Sequence, residues 1–466
     1  MIKTLALCLH MSLLGVAVHS RIFTDTYEFS GILIFLYSLF FWLAVIGRRK
    51  LCNLLWLTTA HFFFWILLLY HQFFQDALSL TTLKLQYGEG LHAAVNAPIL
   101  LVAPTMAKVV LFSLAMVIIV IIKVSFVPLR TSWRLIAAGL LGVLCSANWY
   151  YYQSDVFSQA EFNFKARYFG YPSAWQYELT AFADKNQLYD KLNNSNQIKT
   201  YDEFNHIGKA DNIYIIQAES LDYNAINSGA MPFLQSMTTR GAFYKIRPHD
   251  KKSSANSDFF VLTSQAFYNH SFSVIYKLIK PDYYRAHPTI AQRLKDEGYH
   301  TAFYHGNIGS FFNRRPHIEN MGFDKIAFEE ELKQHYSLGS WGVDDQNVAD
   351  FITQEPRHDK NFYFWITLSM HFDFDLGLKY KHFIAQPQTL REKYLNCANY
   401  TDGALQKLFE HAPQDSLFII YSDHDSETSD NAATVLLLYH KSKDFKQHGE
   451  IVVGDVPMII RQIVLQ

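Results

Sequence analysis

The apolar positions of the chain fall into two regimes. Before residue 153 they form long runs, and five segments, approximately 4–20, 28–47, 51–71, 105–126 and 134–151, are nearly free of charge. Each approaches the ~20 residues that a helix needs to cross the hydrocarbon core of a bilayer. The first segment, with Lys3 ahead of it, also has the outline of a signal peptide, but four similar segments follow and no small-residue cleavage site stands out. Five membrane-crossing helices are the expectation.

From residue 209 the runs shorten. "NIYIIQ" (212–217), "HTAFYHG" (300–306), "NFYFWITLSM" (361–370), "SLFIIYSD" (416–423) and "TVLLLYH" (434–440) read as near-continuous apolar strands. Strands of that kind belong to a sheet covered on both faces. Helical patterns lie between them. "HPTIAQRLKDEGY" has Pro288 as a first-turn proline. "LREKYLNCANYTDGALQKLFEHA" carries Tyr394, Cys397, Leu405 and Leu408 at helical intervals. Alternating strand and helix predicts an α/β domain with a mostly parallel central sheet.

Residues 153–208 join the two regimes and mix aromatics with charges at roughly helical spacing. They suit a helix lying in the membrane interface and equally an amphipathic helix packed on the following domain. "NNSNQ" (193–197) marks a loop. The expected organisation is a five-helix transmembrane domain (1–152), an interfacial linker (153–208) and an extracytoplasmic domain (209–466).

Charge adds an orientation and an exclusion. Lys and Arg number 41 against 42 Asp and Glu, for a formal charge of −1, so no basic field points to nucleic acid as a partner. Arg48-Arg49-Lys50 lies between the second and third apolar segments, and Arg130 and Arg134 flank the turn between the fourth and fifth. The positive-inside rule makes both loops cytoplasmic, against the single contrary Arg21. The N-terminus is then inside, and everything after about residue 152 outside. Cys8, Cys52 and Cys145 sit in the apolar third and only Cys397 beyond it, so the later domain has no disulfide framework.

In a doubly wound sheet the chemistry gathers beyond the carboxyl ends of the strands. There the runs end in Glu219-Ser220, His305-Gly306-Asn307, Ser369-Met370-His371 and Asp423-His424. One such carboxylate is most often a helix cap; four strands delivering Glu, His or Asp to one edge point to a site. Glu219, Asp423 and His424 form a candidate divalent-cation site of two carboxylates and an imidazole, suited to Mn²⁺ or Zn²⁺, with Mg²⁺ a further option. "KKSSANSD" precedes an apolar helical run, so Ser253, Ser254 and Ser257 are either helix caps or, beside a metal and the positive end of a helix, a source of a nucleophile. Arg314 or Arg315 would fork onto phosphate oxygens. His305 and His371 would bind phosphate or protonate a leaving alkoxide.

The stretches "NIYIIQAES", "MPFLQSM" (231–237), "SSANSDFFVLTS", "YHTAFYHGNIGSFFNRR", "SWGVDDQNV", "LSMHFDF" and "IIYSDHD" occur in a set order between residues 212 and 425, behind the five-helix apolar part. In that order and spacing the chain resembles the lipoteichoic acid synthase-type branch of the alkaline phosphatase/sulfatase superfamily, membrane phosphoglycerol and phosphoethanolamine transferases. The resemblance implies one Mn²⁺-type ion held by Glu219, the nucleophile Ser254, Asp423 and His424. It implies a head-group pocket of His305, Asn307, Phe312, Arg314 and His371, with His371 also placing the acceptor. It further implies a phospholipid donor, phosphatidylglycerol or phosphatidylethanolamine, a glycan or lipid acceptor in the cell envelope, and a multi-pass protein of the bacterial cytoplasmic membrane. The chain departs from the pattern in four places. Ser254 stands for the usual Thr, Asn307 for an Asp, Asp425 for a Gly or Tyr, and the segment after the Asp-His pair is shortened to "SETSDNAAT". Two alternatives stay open: a phosphodiesterase or sulfatase-type hydrolase, against which the missing C/S-x-P-x-R motif counts, and a non-catalytic envelope lipid-binding regulator of the same fold.

Overall fold

A computed structural model describes residues 2–22, 28–46, 50–74, 113–115, 117–119, 130–151, 166, 171, 174–175, 201–247, 254–265, 275–279, 281–339, 341–371, 374, 376, 382–426, 428 and 433–465. The chain divides into two compact units, Met1–Tyr189 and Asp190–Gln466.

In the first unit the apolar runs become the helices Ile2–Ile22, Glu28–Val45, Lys50–Phe74 and Thr131–Tyr151. Of the 105–126 segment, 113–115 and 117–119 are helical, and the rest lies outside the described residues. Among the described residues one window, Leu51–Leu68, is long and apolar enough to cross a membrane; Thr4–His19, Ile34–Ala44 and Thr131–Val143 are shorter apolar stretches. Polar side chains join these helices at a few points. His10 Nε2 and His61 Nε2 each lie 2.9 Å from Ser113 Oγ. Arg134 donates from Nε and Nη2 to Ala44 O, at 2.8 and 2.6 Å. That carbonyl belongs to the last turn of Glu28–Val45, where no intrahelical partner is available.

The second unit is built on one eight-stranded sheet. Its strands are β1 (Asn212–Ala218), β2 (Ala242–Arg247), β3 (His300–His305), β4 (Lys325–Ala327), β5 (Asn361–Ile366), β6 (Ser416–Ser422), β7 (Thr434–His440) and β8 (Gln447–Val452). Their order is β4-β3-β5-β1-β6-β7-β2-β8. The pairs from β4 to β6 are parallel, as is β2 with β8, and β7 alone runs antiparallel to both neighbours. The predicted mostly parallel α/β sheet is thus the observed one. β1, β5, β6 and β7 are buried along their whole length, which is why they read as unbroken apolar runs. Cross-strand aromatics stack on the pleat: Tyr214 lies 4.6 Å from Phe418 and 5.0 Å from Tyr363, its register partners. Each such pair adds ~0.5–1.5 kcal/mol beyond its buried area.

Three local expectations are corrected. The 361–370 run stops being strand at Ile366, because Leu368 and Ser369 donate their N–H groups to the Asp345 carboxylate and leave the ladder. Pro288 precedes its helix rather than opening it. Thr289 caps Ile290–Asp296 in a reciprocal box with Gln292, and that chemistry sets the boundary. Strands β2, β4 and β8 add to the five read from the sequence.

Candidate active site

Because β3, β5, β1 and β6 are adjacent and parallel, their carboxyl ends share one edge. His305, Ile366, Gln217 and Tyr421 stand in one row across it. The residues just past that row carry the charge.

Glu219, one residue beyond β1, is buried, and its N–H donates to Thr367 Oγ1 at 2.9 Å. Ser220 follows in the left-handed region at φ 55°, a conformation uncommon for a non-glycine residue. There its N–H donates to Asp423 Oδ1 at 3.0 Å and its hydroxyl to Glu219 Oε1 at 3.1 Å. Asp423 Oδ1 also accepts from His424 N at 2.8 Å. Tyr421 donates to Gln217 Oε1 at 2.6 Å, and Gln217 Nε2 reaches Asp423 Oδ2 at 3.5 Å. His424 donates from Nδ1 to Asp425 O at 2.9 Å, which turns Nε2 toward Glu219 Oε1 (3.2 Å) and Asp423 Oδ2 (3.7 Å).

One ligand atom from each of Glu219, Asp423 and His424 lies within 4.8 Å of the other two. Burial alone would lower the His424 pKa, but the Asp423 charge and the Glu219 carboxylate outweigh it and raise it to about 10. Two carboxylates held together on a buried edge require a positive charge between them. A proton on Nε2 supplies it in the metal-free chain, and a divalent ion competes for that same nitrogen. Two oxygens and one imidazole nitrogen without thiolate fit Mn²⁺, Zn²⁺ or Mg²⁺.

Ser254 is the first residue of the helix Ser254–Thr263. Its side chain, and the whole of Ser253, lie outside the described residues. Ser257 sits inside the helix and bonds the Tyr421 hydroxyl, so it is not a cap. One turn beyond Ser254, Asp258 is completely buried and accepts from Tyr276 Oη at 2.6 Å and from Arg314 Nε at 2.7 Å. Arg314 is buried too. Its Nη1 donates to His305 Nε2 at 3.1 Å, and Nη2 has no hydrogen-bond partner among the described residues. His305 donates from Nδ1 to Ile366 O at 3.2 Å. Burial first, then the Arg314 cation, push its pKa down to about 3. His305 is therefore neutral with both nitrogens engaged, and it supports Arg314 rather than holding a proton to give away.

Phe312 lies in the left-handed region at φ 56°, and the Arg314 guanidinium is 5.5 Å from its ring. Such backbone outliers cluster at binding sites. Asn307 is buried, and its side-chain oxygen accepts from Ile308 N at 2.7 Å, leaving the amide nitrogen to offer elsewhere. His371 is partly exposed, with its ring 4.1 Å from that of Trp341. The loop that carries it hangs on Asp345, which accepts from Leu368 N (2.7 Å), Ser369 N (3.1 Å) and Thr401 Oγ1 (2.6 Å). Two clusters result: Glu219, Asp423 and His424, and Asp258, Arg314, His305 and Phe312. Sequence reasoning missed Asp258, Trp341 and Asp345. Trp341 and Asp345 lie in "SWGVDDQNV", where the motif was legible but the roles were not.

A mostly parallel α/β sheet thus carries an acidic, imidazole-bearing cluster at the carboxyl edge of its strands. Residues 211–460 match the family model described as Sulfatase. The lipoteichoic acid synthase of Staphylococcus saprophyticus is 25% identical over 268 residues, covering 52% of this chain and 41% of that protein. Lipoteichoic acid synthase 1 of Bacillus subtilis is 24% identical over 326 residues, covering 63% and 48%. The chain thus spans less than half the length of these curated relatives. The integral membrane lipooligosaccharide phosphoethanolamine transferase A (EptA) of Neisseria meningitidis has the same fold, with a TM-score of 0.56 over 98% of this chain and 94% of that one, at 12% identity. The chain belongs to the sulfatase family, as a lipoteichoic acid synthase-type member of the alkaline phosphatase/sulfatase superfamily.

Proposed function

We propose that the chain is a membrane-bound, metal-dependent transferase that moves a phosphoglycerol or phosphoethanolamine head group from a phospholipid to a cell-envelope glycan or lipid. The observation that carries this reading is the convergence of Glu219, Asp423 and His424 on one point of the sheet edge. Its relatives include lipoteichoic acid synthases and, by fold, a phosphoethanolamine transferase. Glu219, Asp423 and His424, with Ser254, would hold one divalent ion, Mn²⁺ first. When bound, the ion supplies Lewis-acid stabilisation of phosphoryl charge and an acidified hydroxyl.

Ser254, at the positive end of its helix, attacks the donor phosphorus through Oγ. The bond from phosphorus to the diacylglycerol oxygen breaks as the Ser254 hydroxyl proton passes to that oxygen, diacylglycerol leaves, and the head-group phosphate stays on Ser254. Arg314, whose Nη2 has no partner among the described residues, offers a donor to a head-group oxygen; a buried donor left unpaired costs ~1–3 kcal/mol, which such an oxygen would recover. Phe312 and Asn307 would line the same head-group pocket. His371 takes the proton of the acceptor hydroxyl as that oxygen displaces Ser254 from phosphorus, and the proton returns to Ser254 Oγ. Membrane helices suit a donor that stays in the bilayer.

The test is incubation of the purified full chain with Mn²⁺ and separately labelled phosphatidylglycerol and phosphatidylethanolamine, followed by mass spectrometry of the peptide holding residue 254. A glycerophosphate or phosphoethanolamine adduct is expected, with diacylglycerol released. Neither adduct nor diacylglycerol from either lipid would overturn the reading. Ser254→Ala is expected to keep the fold and lose turnover; full activity in that variant would move the nucleophile, to Ser253 first.

A further inference from the structure

The segment after the Asp-His pair departs from the family pattern, and the structure shows what anchors it. Ser426 Oγ donates to Asp222 Oδ2 at 2.5 Å and lies 2.8 Å from Thr428 Oγ1. Asp222 is fully buried, three residues beyond Glu219, and its other oxygen accepts from Ala225 N at 2.7 Å. One cation reaches this whole group. Arg391, the second residue of the helix Leu390–His411, forks onto both Asp222 oxygens, and its Nη1 also lies 3.4 Å from Ser426 Oγ and 3.2 Å from Thr428 Oγ1. One turn on, the Tyr394 ring is 5.0 Å from the guanidinium carbon. Its hydroxyl donates to Ser220 O at 2.9 Å and accepts from Asp222 N at 3.2 Å.

The first turn of this helix therefore ties loop 219–222, which brings Glu219, to loop 423–428, which brings Asp423 and His424. Those two loops supply all three members of the trio. We propose that Arg391 is a positioning residue for the metal centre, holding the two ligand loops in register so that Glu219 and the Asp423-His424 pair meet one divalent ion. This rests on the trio being a metal site, as proposed above. A planar fork is needed because one side chain must satisfy both oxygens of a buried carboxylate and two hydroxyls at once, which an ammonium does not do. Partners of this outer kind fix ligand geometry, and their loss typically weakens metal binding ~10–100-fold.

The test is calorimetric titration of Mn²⁺ into the full chain in detergent, comparing wild type with Arg391→Met, Arg391→Lys, Ser426→Ala and Lys407→Met. Lys407 lies on the same helix but pairs with Asp350 at 2.7 Å, away from these loops. Melting curves in EDTA report folding independently of the metal. Arg391→Met is expected to weaken Mn²⁺ binding ~10–100-fold, Arg391→Lys and Ser426→Ala less, and Lys407→Met not at all. Wild-type Mn²⁺ affinity in a folded Arg391→Met chain overturns the proposal. If that variant does not fold, wild-type affinity in both Arg391→Lys and Ser426→Ala does so. A wild-type chain that binds neither Mn²⁺ nor Zn²⁺ overturns the metal reading beneath it.

Discussion

Asp258 lies one turn beyond Ser254, wholly buried, with Tyr276 and Arg314 on its two oxygens. Burial raises its pKa to about 6, although the Arg314 cation and the two hydrogen bonds pull the other way. In the unfolded chain it returns to an ordinary carboxylate, near ~3.9. A folded pKa above the unfolded one means that the folded chain holds the proton more tightly. The stability this group contributes is then fully present below about pH 4 and lost as pH rises through about 6. Asp258→Asn removes that dependence. Urea midpoints of the full chain in detergent and EDTA are expected to fall less steeply from pH 4 to pH 6 in the variant than in the wild type. Superimposable slopes would mean that Asp258 titrates alike in both states. Nothing near Asp258 in the sequence marks it as the partner of an arginine 56 residues away, so the residue-level network around Arg314 was illegible. Glu219, Asp423 and His424 were legible because strand ends are where such a sheet exposes side chains.

At the level of elements, the strands that read clearly are those sandwiched on both faces, where burial forces every position to be apolar. β8, "QHGEIV", is largely exposed at the edge of the sheet, and its polar residues blunt that edge while erasing the apolar signal. β4 has three residues, too few for a period. The loops that place the site depend on backbone contacts no pattern reveals. Val343 N donates to Gly306 O at 2.9 Å, and a Cβ on Gly306 would meet Val343 O at 2.0 Å. Gly306 lies between His305 and Asn307, so a side chain there must push this loop off Val343. Gly306→Ala is expected to cost about 3 kcal/mol or more, the upper end of overpacking, and to lose transfer activity. Gly298→Ala is the contrast: at φ 88° with no atom within 4 Å of its Cβ, it should cost only ~1–2 kcal/mol from backbone conformation and leave activity intact. Thermal melts and initial rates on the two variants check this, and equal losses would show that the contact at Gly306 relaxes.

Over the whole molecule, the number of membrane crossings decides on which side residues 209–466 lie. Arg134 donates to Ala44 O, so the end of Glu28–Val45 and the start of Thr131–Tyr151 are close together in the first unit. The chain leaves that level through Lys50–Phe74, whose Leu51–Leu68 window is long enough to cross, and by Thr131 it is back. Between Phe74 and Arg130 most residues lie outside the described ones, and 105–126 is the apolar segment there whose sequence has the length for a crossing. Five crossings, the number expected from the sequence, are odd, and with Arg48-Arg49-Lys50 and Arg130 inside they would put residues 209–466 outside. In spheroplasts of a bacterium expressing the full chain, added protease is expected to degrade 209–466 while an N-terminal fragment stays in the membrane pellet through an alkaline carbonate wash. A sulfatase-like domain protected until the spheroplasts are lysed would make the number of crossings even, and would remove the access to an outer-leaflet phospholipid donor that the proposed function needs.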